Sequence, residues 1–361
     1  MPDLRTLINQ MQSGGDFVRI ARNPLAQFGT RQRRYIGAEI MPERLVNENQ
    51  YTEEQVRYRT VVANAGTRYS PVQKKKGVLV GSFDVKLAES DIGSELTSRD
   101  YDALRRLAIR GSLDAVRNAT RWVETTLNLP LVEWIERARW QAIVNAVVQL
   151  RGDNDFTEDV AYSNPSGHRV NVAGDWDTDT YDPFDDIFAM ADLLASKGFT
   201  LSRIIAPRTV TSKMATNDKV RARAGAIRVN VGAGLQVSAG RASLAQINGV
   251  LDEEGLPAIE RYDLQYRTST GTGYFLPRDV MVFIASTGRE EQLDLGDTLE
   301  TLENVVGYAG VGVAAGQDGP GRVVQSEVFT NKPPRVEGEG WQTALPVITE
   351  PEAIAVLKNI V

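Results

Sequence analysis

The spacing of apolar residues predicts a long β-ribbon in the first quarter of the chain. Residues 57–87 contain two strand-forming runs separated by a proline and three lysines. The apolar alternation of the second run slips by one residue across Gly81 and Ser82, which predicts a β-bulge there. The whole stretch therefore predicts a two-stranded β-ribbon. Because an isolated ribbon is marginal in water, we expect it to need burial against another surface.

Helical periodicity replaces this alternation at Ser98, which resembles a capped helix start. Pro130 is expected to end or kink the helical segment. After it, apolar residues recur at i, i+3 and i+4 as far as Leu150, and charged residues such as Glu136 and Arg139 occupy other faces. A helix of this length would span about 30 Å and is the strongest helical signal in the chain.

Helices and strands alternate in the second half of the chain. The pattern predicts a helix at 185–197, then a short strand at 203–206 followed by a proline and a helix, which is an α/β step. Short strands separated by glycine are predicted between 225 and 321, including one at 280–285. Residues 341–361 predict a strand, a turn bounded by proline and a closing apolar segment. No internal repeat of fixed period is visible.

Composition narrows the possible chemistry. The chain has 361 residues, of which 42% are hydrophobic, so it can bury a sizeable core in two or three structural units. Lys and Arg number 41 against 47 Asp and Glu, a formal net charge of −6. There is no cysteine, and His168 is the single histidine. These counts exclude disulfide frameworks, thiolate zinc sites, cysteine nucleophiles and sites that need two imidazoles.

The first 40 residues have few apolar positions with a sustained period, and arginines outnumber acidic residues there. This segment predicts either an extended arm that becomes ordered against a neighbour or a basic arm that meets nucleic acid or an acidic partner. No secretory signal and no apolar stretch long enough to span a membrane is visible. We therefore expect a cytoplasmic protein that does not bind a membrane.

Aspartates at alternate positions in 175–186 superficially match a calcium loop. Thr180 stands where such a loop needs glycine, and Asp186 stands where it needs glutamate. We interpret the stretch as a solvated loop whose aspartates cap and favour a helix N-terminus.

Glycines in 307–316 suggest a dinucleotide-binding turn, but their spacing departs from the G-x-G-x-x-G pattern. We expect a flexible or tightly packed loop instead. His168 lies in a polar turn and has no second imidazole or thiolate to complete a metal site. The sequence thus predicts no catalytic, metal-binding or cofactor-binding residue and no cofactor.

Two basic clusters are the candidate contact residues. The lysines at the ribbon tip are interpreted either as a solvated turn or as a charged contact with a neighbouring subunit, and the arm arginines as contacts to scaffold or DNA inside an assembly. The candidates are Lys74, Lys75, Lys76, Arg31, Arg33 and Arg34. An arm and a ribbon that are not self-sufficient, with no catalytic cluster, favour a structural assembly protein.

Three local stretches resemble a known family. They are AGDWDTDTYDPFDDIFAM at 173–190, YFLPRDVMV at 274–282 and WQTALPVITEPEAIAVL at 341–357. The order of arm, ribbon, long helix, mixed α/β unit and final segment resembles it too. The chain is similar to the major capsid proteins of tailed bacteriophages with the HK97-like fold, and more closely to their lambda-type branch.

The resemblance implies an α+β fold divided into five segments. They are an N-terminal arm at 1–50, an extended β-ribbon loop at 51–98, a peripheral domain with a long spine helix at 99–182, an axial α/β domain at 183–322 and a return to the peripheral domain at 323–361.

The resemblance also implies a function. It is that of a non-enzymatic major capsid protein, which forms hexamers and pentamers in an icosahedral shell around double-stranded DNA. Such a protein is found in the virion after assembly in the cytoplasm of the host bacterium. Its expected partners are a portal protein, a decoration protein and DNA held by non-specific contact. Because the arm and ribbon come early in the chain, the scaffold is expected to be a separate protein.

Some related capsids are cross-linked by a lysine-to-asparagine isopeptide bond. We match no asparagine and catalytic glutamate to Lys74, Lys75 or Lys76, so we predict noncovalent shells. Two alternatives stay open. One is an encapsulin-like compartment protein that encloses an enzyme. The other is an oligomeric enzyme that uses carboxylates such as Asp185 and Asp186, provided that they converge in a pocket.

Overall fold

The fold was analysed in a computed structural model. It describes residues 34–58, 78–109, 121–151, 157–177, 180–225, 227–230, 236–268, 271–287, 290–294, 299–303, 305–329 and 331–360.

The first part of the described chain is mostly extended. Its elements are α1 (Ile36–Ile40), β1 (Glu43–Leu45), β2 (Gln50–Tyr58), β3 (Val78–Lys86) and β4 (Ala88–Leu96). β2 and β3 pair antiparallel along their whole length, which confirms a two-stranded ribbon, but its first strand begins at Gln50, ahead of the predicted stretch 57–87, and 59–77 lie outside the described residues. The ladder has no register shift, so the predicted bulge at Gly81 and Ser82 is wrong. A strand has two faces, and a change of apolar phase along it does not require an extra residue.

The central helices follow the ribbon. The elements of this part are α2 (Ser98–Ile109), α3 (Leu129–Asn145), β5 (Val147–Arg151), β6 (Thr157–Ala161) and β7 (Arg169–Asn171). α2 begins at Ser98, as predicted. A π-helical turn at Glu124–Asn128 precedes α3, and Pro130 lies in the first turn of α3, where proline is tolerated.

The long helix is shorter than its periodicity predicts. α3 ends at Asn145 because Ala146 adopts a left-handed backbone conformation with φ 53°. The next residues form β5, which pairs with β6. Val147 and Val148 are β-branched and suit a strand, and their apolar spacing extends the helical pattern only by coincidence. The predicted helix end at Leu150 is therefore wrong.

The middle of the chain alternates helices and strands. Its elements are α4 (Pro183–Ser196), β8 (Thr200–Ala206), α5 (Arg208–Thr216), α6 (Asp218–Arg223), β9 (Ile227–Asn230), β10 (Gln236–Ala239), α7 (Leu244–Glu253), β11 (Ile259–Arg261), β12 (Gln265–Thr268), β13 (Gly271–Tyr274) and β14 (Met281–Ser286). The predicted helix that precedes Gly198 is confirmed as α4, and the predicted α/β step is confirmed as β8, Pro207 and α5.

The last part of the described chain is extended. Its elements are β15 (Glu290–Asp294), β16 (Leu299–Glu303), β17 (Gly307–Val311), β18 (Val323–Phe329), β19 (Arg335–Ile348) and β20 (Ile354–Lys358). A turn at Pro351–Ala353 separates β19 from β20, as predicted. The glycine-rich stretch at 307–316 was predicted to be a loop, but it begins with β17, a fully buried strand.

Two five-stranded sheets organise these elements. The first has the order β1-β17-β19-β18, and β4 also pairs with β19. The second is mixed, with the order β11-β8-β14-β20-β7. α3 packs against β19 of the first sheet, and α4 packs against the second sheet. A continuous apolar core that includes Trp140, Phe184 and Phe283 joins the two. The predicted α+β class is confirmed.

The last segment of the chain contributes to both sheets. β18 and β19 lie in the first sheet, whereas β20 lies between β14 and β7 in the second. The division of the chain into five segments stays a prediction.

Candidate assembly surfaces

The structure describes one of the six predicted contact residues. Arg31, Arg33, Lys74, Lys75 and Lys76 lie outside the described residues. Arg34 lies at the start of the described chain, and its side chain is 62% exposed. Its guanidinium donates hydrogen bonds of 2.6 and 2.9 Å to the two carboxylate oxygens of Glu39, and it also pairs with Glu260.

Arg34 shares these carboxylates with a second arginine of the same chain. Arg203 Nη2 lies 3.1 Å from Glu39 and 2.6 Å from Glu260. The hydrogen bonds to Glu39 raise the pKa of Arg34, and Glu260 adds to the effect. The charge of Arg34 is thus offset within its own chain.

The residues that follow Arg34 are anchored to α3. Residues 1–40 were expected to be an extended arm, but Ile36 and Ile40 are buried in helix α1. The backbone N–H of Gly37 donates a 2.9 Å hydrogen bond to Glu136 Oε1 of α3. A Cβ atom at Gly37 would lie 2.7 Å from the same oxygen, so glycine permits this close approach.

Glu136 joins three parts of the chain. Besides Gly37, Trp140 Nε1 and the Tyr262 hydroxyl donate to Glu136 Oε1 at 2.8 and 3.0 Å. Arg139 Nη1 lies 3.3 Å from Glu136 Oε2. Glu136 has no solvent exposure and Arg139 is 1% exposed, so both charged side chains lie in the interior. Buried charged residues need internal partners, and Glu136 and Arg139 supply one to each other.

The network continues from Arg139 toward the C-terminal strands. Arg139 Nη2 lies 3.6 Å from Glu43, which Arg322 Nη2 contacts at 2.5 Å. Arg322 Nε donates to Gln342 Oε1 at 2.6 Å. Gln342 Nε2 then donates to the carbonyl of Leu131 in α3 and to Ser90 Oγ in β4, at 2.9 and 3.1 Å. We call this chain of contacts, from Tyr262 through Glu136 to Gln342, the central network.

Carboxylates and guanidiniums are matched within the central network. Burial opposes the charge of Glu43, but Arg322 and Arg139 outweigh it and hold the pKa of Glu43 below its ordinary value. Two carboxylates, Glu43 and Glu136, face the two guanidiniums. The network therefore connects α1, β1, β4, α3 and β19, with two carboxylates facing two guanidiniums.

A second polar cluster fixes the base of the ribbon. The hydroxyls of Tyr51 in β2 and Tyr308 in β17 lie 2.8 Å apart, and Tyr308 donates to Glu53 Oε2 at 2.8 Å. Arg44 stacks over the Tyr308 ring at 5.0 Å. Asn49 Oδ1 accepts a 2.8 Å hydrogen bond from the backbone N–H of Val313. Asn49 Nδ2 donates a 2.9 Å hydrogen bond to the carbonyl of the same residue.

The glycines of 307–316 allow this packing. A Cβ atom at Gly312 would lie 2.2 Å from Asn49 Oδ1 and 2.6 Å from Leu87 Cδ1. At Gly307 it would lie 2.2 Å from the carbonyl oxygen of Val347. These glycines therefore bring β17 against β19 and the ribbon base, which is a packing role.

The acidic stretch at 175–186 makes contacts within the chain. Asp182 caps α4 by accepting from the backbone N–H of Phe184 at 3.0 Å, as predicted. Asp186 is 8% exposed and accepts hydrogen bonds from Trp176 Nε1 and Tyr181 OH at 2.8 and 2.6 Å. Asp185 is exposed, so the two carboxylates do not converge in a pocket as an enzyme site would require. Asp179 lies outside the described residues.

His168 lies at the end of a turn before β7, and its side chain is fully buried. Its Nδ1 lies 2.8 Å from the carbonyl of Ile354, and its backbone carbonyl accepts from Val356. Its Nε2 is buried without a hydrogen-bond partner in the described part of the chain. The ring therefore helps to hold β20 beside β7.

The first sheet has a strongly acidic face that the sequence analysis did not identify. Side chains alternate along strands, so every second residue of β4, β18 and β19 shares one face. The carboxylates on this face are Glu89, Asp91, Glu95, Glu327, Glu337 and Glu339. We call it the outer face, because the opposite face packs on α3 and the π-helical turn. The sequence signal that could have revealed this face is the presence of acidic residues at alternate positions of two strands.

The described residues contain no group of three or more acidic or histidine side chains arranged to hold a metal ion. None of the described helices is long and apolar enough to cross a membrane.

A sequence profile described as phage major capsid protein E matches residues 109–359. No curated protein matches the chain at the sequence level.

Similar solved structures cover nearly the whole chain. A phage-related protein from Bordetella bronchiseptica RB50 is 12% identical with a TM-score of 0.51, and the match covers 94% of this chain and 98% of that one. A protein described as a prophage capsid protein of Escherichia coli CFT073 is 14% identical with a TM-score of 0.56, and 99% of each chain is covered. The match to the holo-SrpI encapsulin of Synechococcus elongatus PCC 7942 has a TM-score of 0.44 at 12% identity, over 92% and 90% of the two chains. The HK97-like fold predicted from the sequence is confirmed.

Proposed function

This chain belongs to the phage major capsid protein E family, and on that premise we propose that it assembles as hexamers and pentamers into an icosahedral shell around double-stranded DNA. Membership makes it a structural protein of the phage shell and a component of the virion. The observation that carries this conclusion is the family match over residues 109–359.

The ribbon supports assembly between copies. β2 and β3 pair with each other and with no other strand in the described part of the chain. A two-stranded ribbon needs additional burial to be stable, and other copies of the same chain can supply it. The Tyr51, Tyr308 and Asn49 contacts hold the ribbon base on β17. Such a rigid base would present the ribbon in one direction to each neighbour.

The central network supports the proposal that the subunit moves as one body during assembly. Its contacts connect the arm, β4, α3 and β19 through buried hydrogen bonds and ion pairs. Breaking a buried ion pair is costly, so these segments are expected to move together when the ribbon and arm engage neighbours. We also propose the division of the chain into five segments: the arm, the ribbon, the peripheral domain, the axial domain and the return segment. A subunit in which these segments move together is compatible with that division.

The partners belong to the proposal as well. We expect a portal protein, a separate scaffolding protein and a decoration protein, with assembly in the cytoplasm of the host bacterium. DNA would be held by non-specific contacts, with Arg31 and Arg33 as candidates. Reversing both charges should reduce DNA packaging more than reversing Arg34, whose charge Glu39 and Glu260 already offset. Equal packaging in the Arg31/Arg33 variant and the Arg34 variant would contradict the proposed contact.

Electron microscopy tests the proposed assembly. The protein would be purified after expression alone and together with the neighbouring genes. Closed shells or uniform rings of six and five subunits are the expected result, and DNA inside shells from infected cells would distinguish a virus from an enzyme-filled compartment. A small oligomer that never forms rings, even with the candidate scaffold present, would contradict the proposal.

A further inference from the structure

Three carboxylates line a groove on the outer face. The groove has a volume of about 500 Å³ and lies between β4, β19 and the loop at Ala315. Glu89, Asp91 and Glu339 line it, and all three are exposed. Glu339 Oε2 accepts from Gln325 Nε2 at 3.3 Å, and none of the described residues that line the groove is basic. The groove therefore offers negative charge and the volume that a small-molecule ligand needs.

The floor of the groove contains a buried hydroxyl. Thr343 lines the groove and is 2% exposed. It alternates along β19 with Glu339 and Trp341, so the three side chains share one face. Thr343 Oγ1 has no hydrogen-bond partner among the described residues. A buried hydroxyl without a partner costs free energy, and a hydrogen-bond donor placed in the groove would remove this cost.

An aromatic side chain forms part of the groove wall. Trp341 is half-buried, and its Nε1 donates to the carbonyl of Ala315 at 3.0 Å. An indole has one donor, so Trp341 offers a ligand its apolar surface and a ring that attracts cations. Carboxylates, a hydroxyl and an indole together favour a ligand that combines ammonium groups with an apolar chain.

The carboxylates are spread along the groove. In the strand register Glu89 stands opposite Thr343, and Glu339 lies four residues before Thr343 in β19. At about 3.3 Å per residue these positions are about 13 Å apart along the strands. The described residues contain no group of three acidic or histidine side chains arranged to hold a metal ion. A ligand with separated positive charges therefore fits this spacing better than a single metal ion does.

The sheet beside the groove adds to its negative potential. Glu337 of β19 stands directly opposite Glu95 of β4 and Glu327 of β18. Directly opposed like charges destabilise a sheet, and Arg335, which pairs with Glu337, is the one cation in the sequences of these three strands. Glu337 lies two residues from Glu339, so a cation in the groove would be close enough to reduce this repulsion.

We propose that the groove binds a linear aliphatic polyamine, in which protonated amines are separated by methylene chains. The amines donate to Glu89, Asp91 and Glu339, and one of them also donates to Thr343 Oγ1. The methylene chain lies against Trp341. A single chain forms the whole site, so the inference goes beyond the proposed shell function and does not depend on it.

Equilibrium dialysis of the purified full-length chain with spermidine tests the site. We expect saturable binding of one spermidine per chain. Doubly acetylated spermidine has uncharged terminal groups and should bind about tenfold more weakly or worse, because it loses charge-assisted hydrogen bonds. Mg²⁺ at the same concentration of positive charge should displace little spermidine, because a compact ion cannot reach carboxylates that lie far apart.

Substitutions locate the binding in the groove. Neutralising its three carboxylates should weaken spermidine binding about tenfold or more, and the variant is E89Q/D91N/E339Q. A matched control neutralises three exposed carboxylates at the end of α7 and should bind like the unsubstituted chain, and this variant is D252N/E253Q/E254Q. The two variants have the same net charge, so general attraction to an acidic protein would affect them equally.

Thr343→Val tests the hydroxyl without changing the net charge. Spermidine binding should weaken about fivefold, because the ligand loses an acceptor. Thermal unfolding without spermidine should show no loss of stability, because the substitution removes a buried hydroxyl that has no partner. Unchanged binding would show that the hydroxyl is not part of a site and would overturn the proposal.

Other results would overturn the proposal as well. Equal binding in the groove variant and the α7 control would indicate general electrostatic attraction. Efficient displacement by Mg²⁺ would indicate a site or an ion atmosphere that does not select separated charges, and a folded chain that binds no spermidine would exclude the site. Dialysis requires no shell, so each of these results leaves the proposed assembly function intact. Failure to form rings would equally leave spermidine binding unaffected.

Discussion

Glu136 is a fully buried carboxylate that accepts hydrogen bonds from a backbone amide, an indole and a phenol. It also faces Arg139, which is buried as well. Glu136 thus connects separate segments through its hydrogen bonds and also compensates the charge of Arg139. Both roles depend on the negative charge of Glu136.

Glu136→Gln should destabilise the folded chain by about 3 kcal/mol, because Arg139 loses a buried counter-charge. Urea unfolding followed by circular dichroism measures the change. Glu253→Gln, at an exposed position, is the control and should stay within about 0.5 kcal/mol of the unsubstituted chain. Equal midpoints for the two variants would show that Glu136 is not a structural charge.

We expect the buried phenol of Tyr262 to lower the stability of the folded chain at alkaline pH. Burial, followed by the neighbouring Glu136 carboxylate, raises the pKa of Tyr262. An unfolded tyrosine loses its proton near pH 10, so above that pH the native state binds more protons than the unfolded state. The free energy of unfolding should therefore fall as the pH rises above about 10.

Tyr262→Phe should reduce this alkaline slope by about 1.4 kcal/mol per pH unit, because phenylalanine has no proton to lose. Urea unfolding at a series of pH values gives the slope. Tyr274→Phe, at a partly exposed position, serves for comparison. An unchanged slope in Tyr262→Phe would contradict the assigned role of this phenol.

At the scale of elements, close packing between β17 and the ribbon base depends on Gly312. Gly312→Ala should cost about 1–3 kcal/mol, because the new methyl group would overlap Asn49 and Leu87. Gly319 lies in the loop that follows β17, and a Cβ there meets no atom within 4 Å. Thermal unfolding should therefore show a loss for Gly312→Ala and almost none for Gly319→Ala. Similar losses would mean that backbone freedom, rather than close approach, selects glycine at 312.

The start of α4 depends on its cap. Asp182→Ala should cost about 1 kcal/mol, because the N–H of Phe184 loses its acceptor. Arg223 would also lose a 2.9 Å ion pair. Asp192→Ala, at an exposed position inside the same helix, is the matched control, and thermal unfolding compares the two. A larger loss at Asp192 would argue against the capping role.

Elements differed in how well the sequence predicted them. The ribbon and α4 were predicted because local alternation and capping determine them. The end of α3 was not, because the apolar residues of β5 continue the helical spacing while Ala146 turns the backbone out of the helix. β17 looked like a loop because its glycines signal turns locally, whereas here they permit contact between strands.

At the scale of the whole molecule, we predict a noncovalent shell. No asparagine and glutamate were matched to the ribbon lysines as an isopeptide site. Denatured shells should give single-chain masses by mass spectrometry and one band in denaturing gels. Ladders of covalently joined chains would contradict this prediction.

The sequence by itself determined the class of protein, the ribbon, the capped helices and the segments that resemble a capsid protein. Those features depend on residue type and on spacing over a few neighbours, which a single sequence displays. Only the tertiary structure decided that Glu136, Arg139, Glu43 and Arg322 are buried partners, because they come from distant segments and each looks like a solvated charge in its local context. The outer face required strand register for the same reason, since Glu95, Glu327 and Glu337 become neighbours only when β4, β19 and β18 pair.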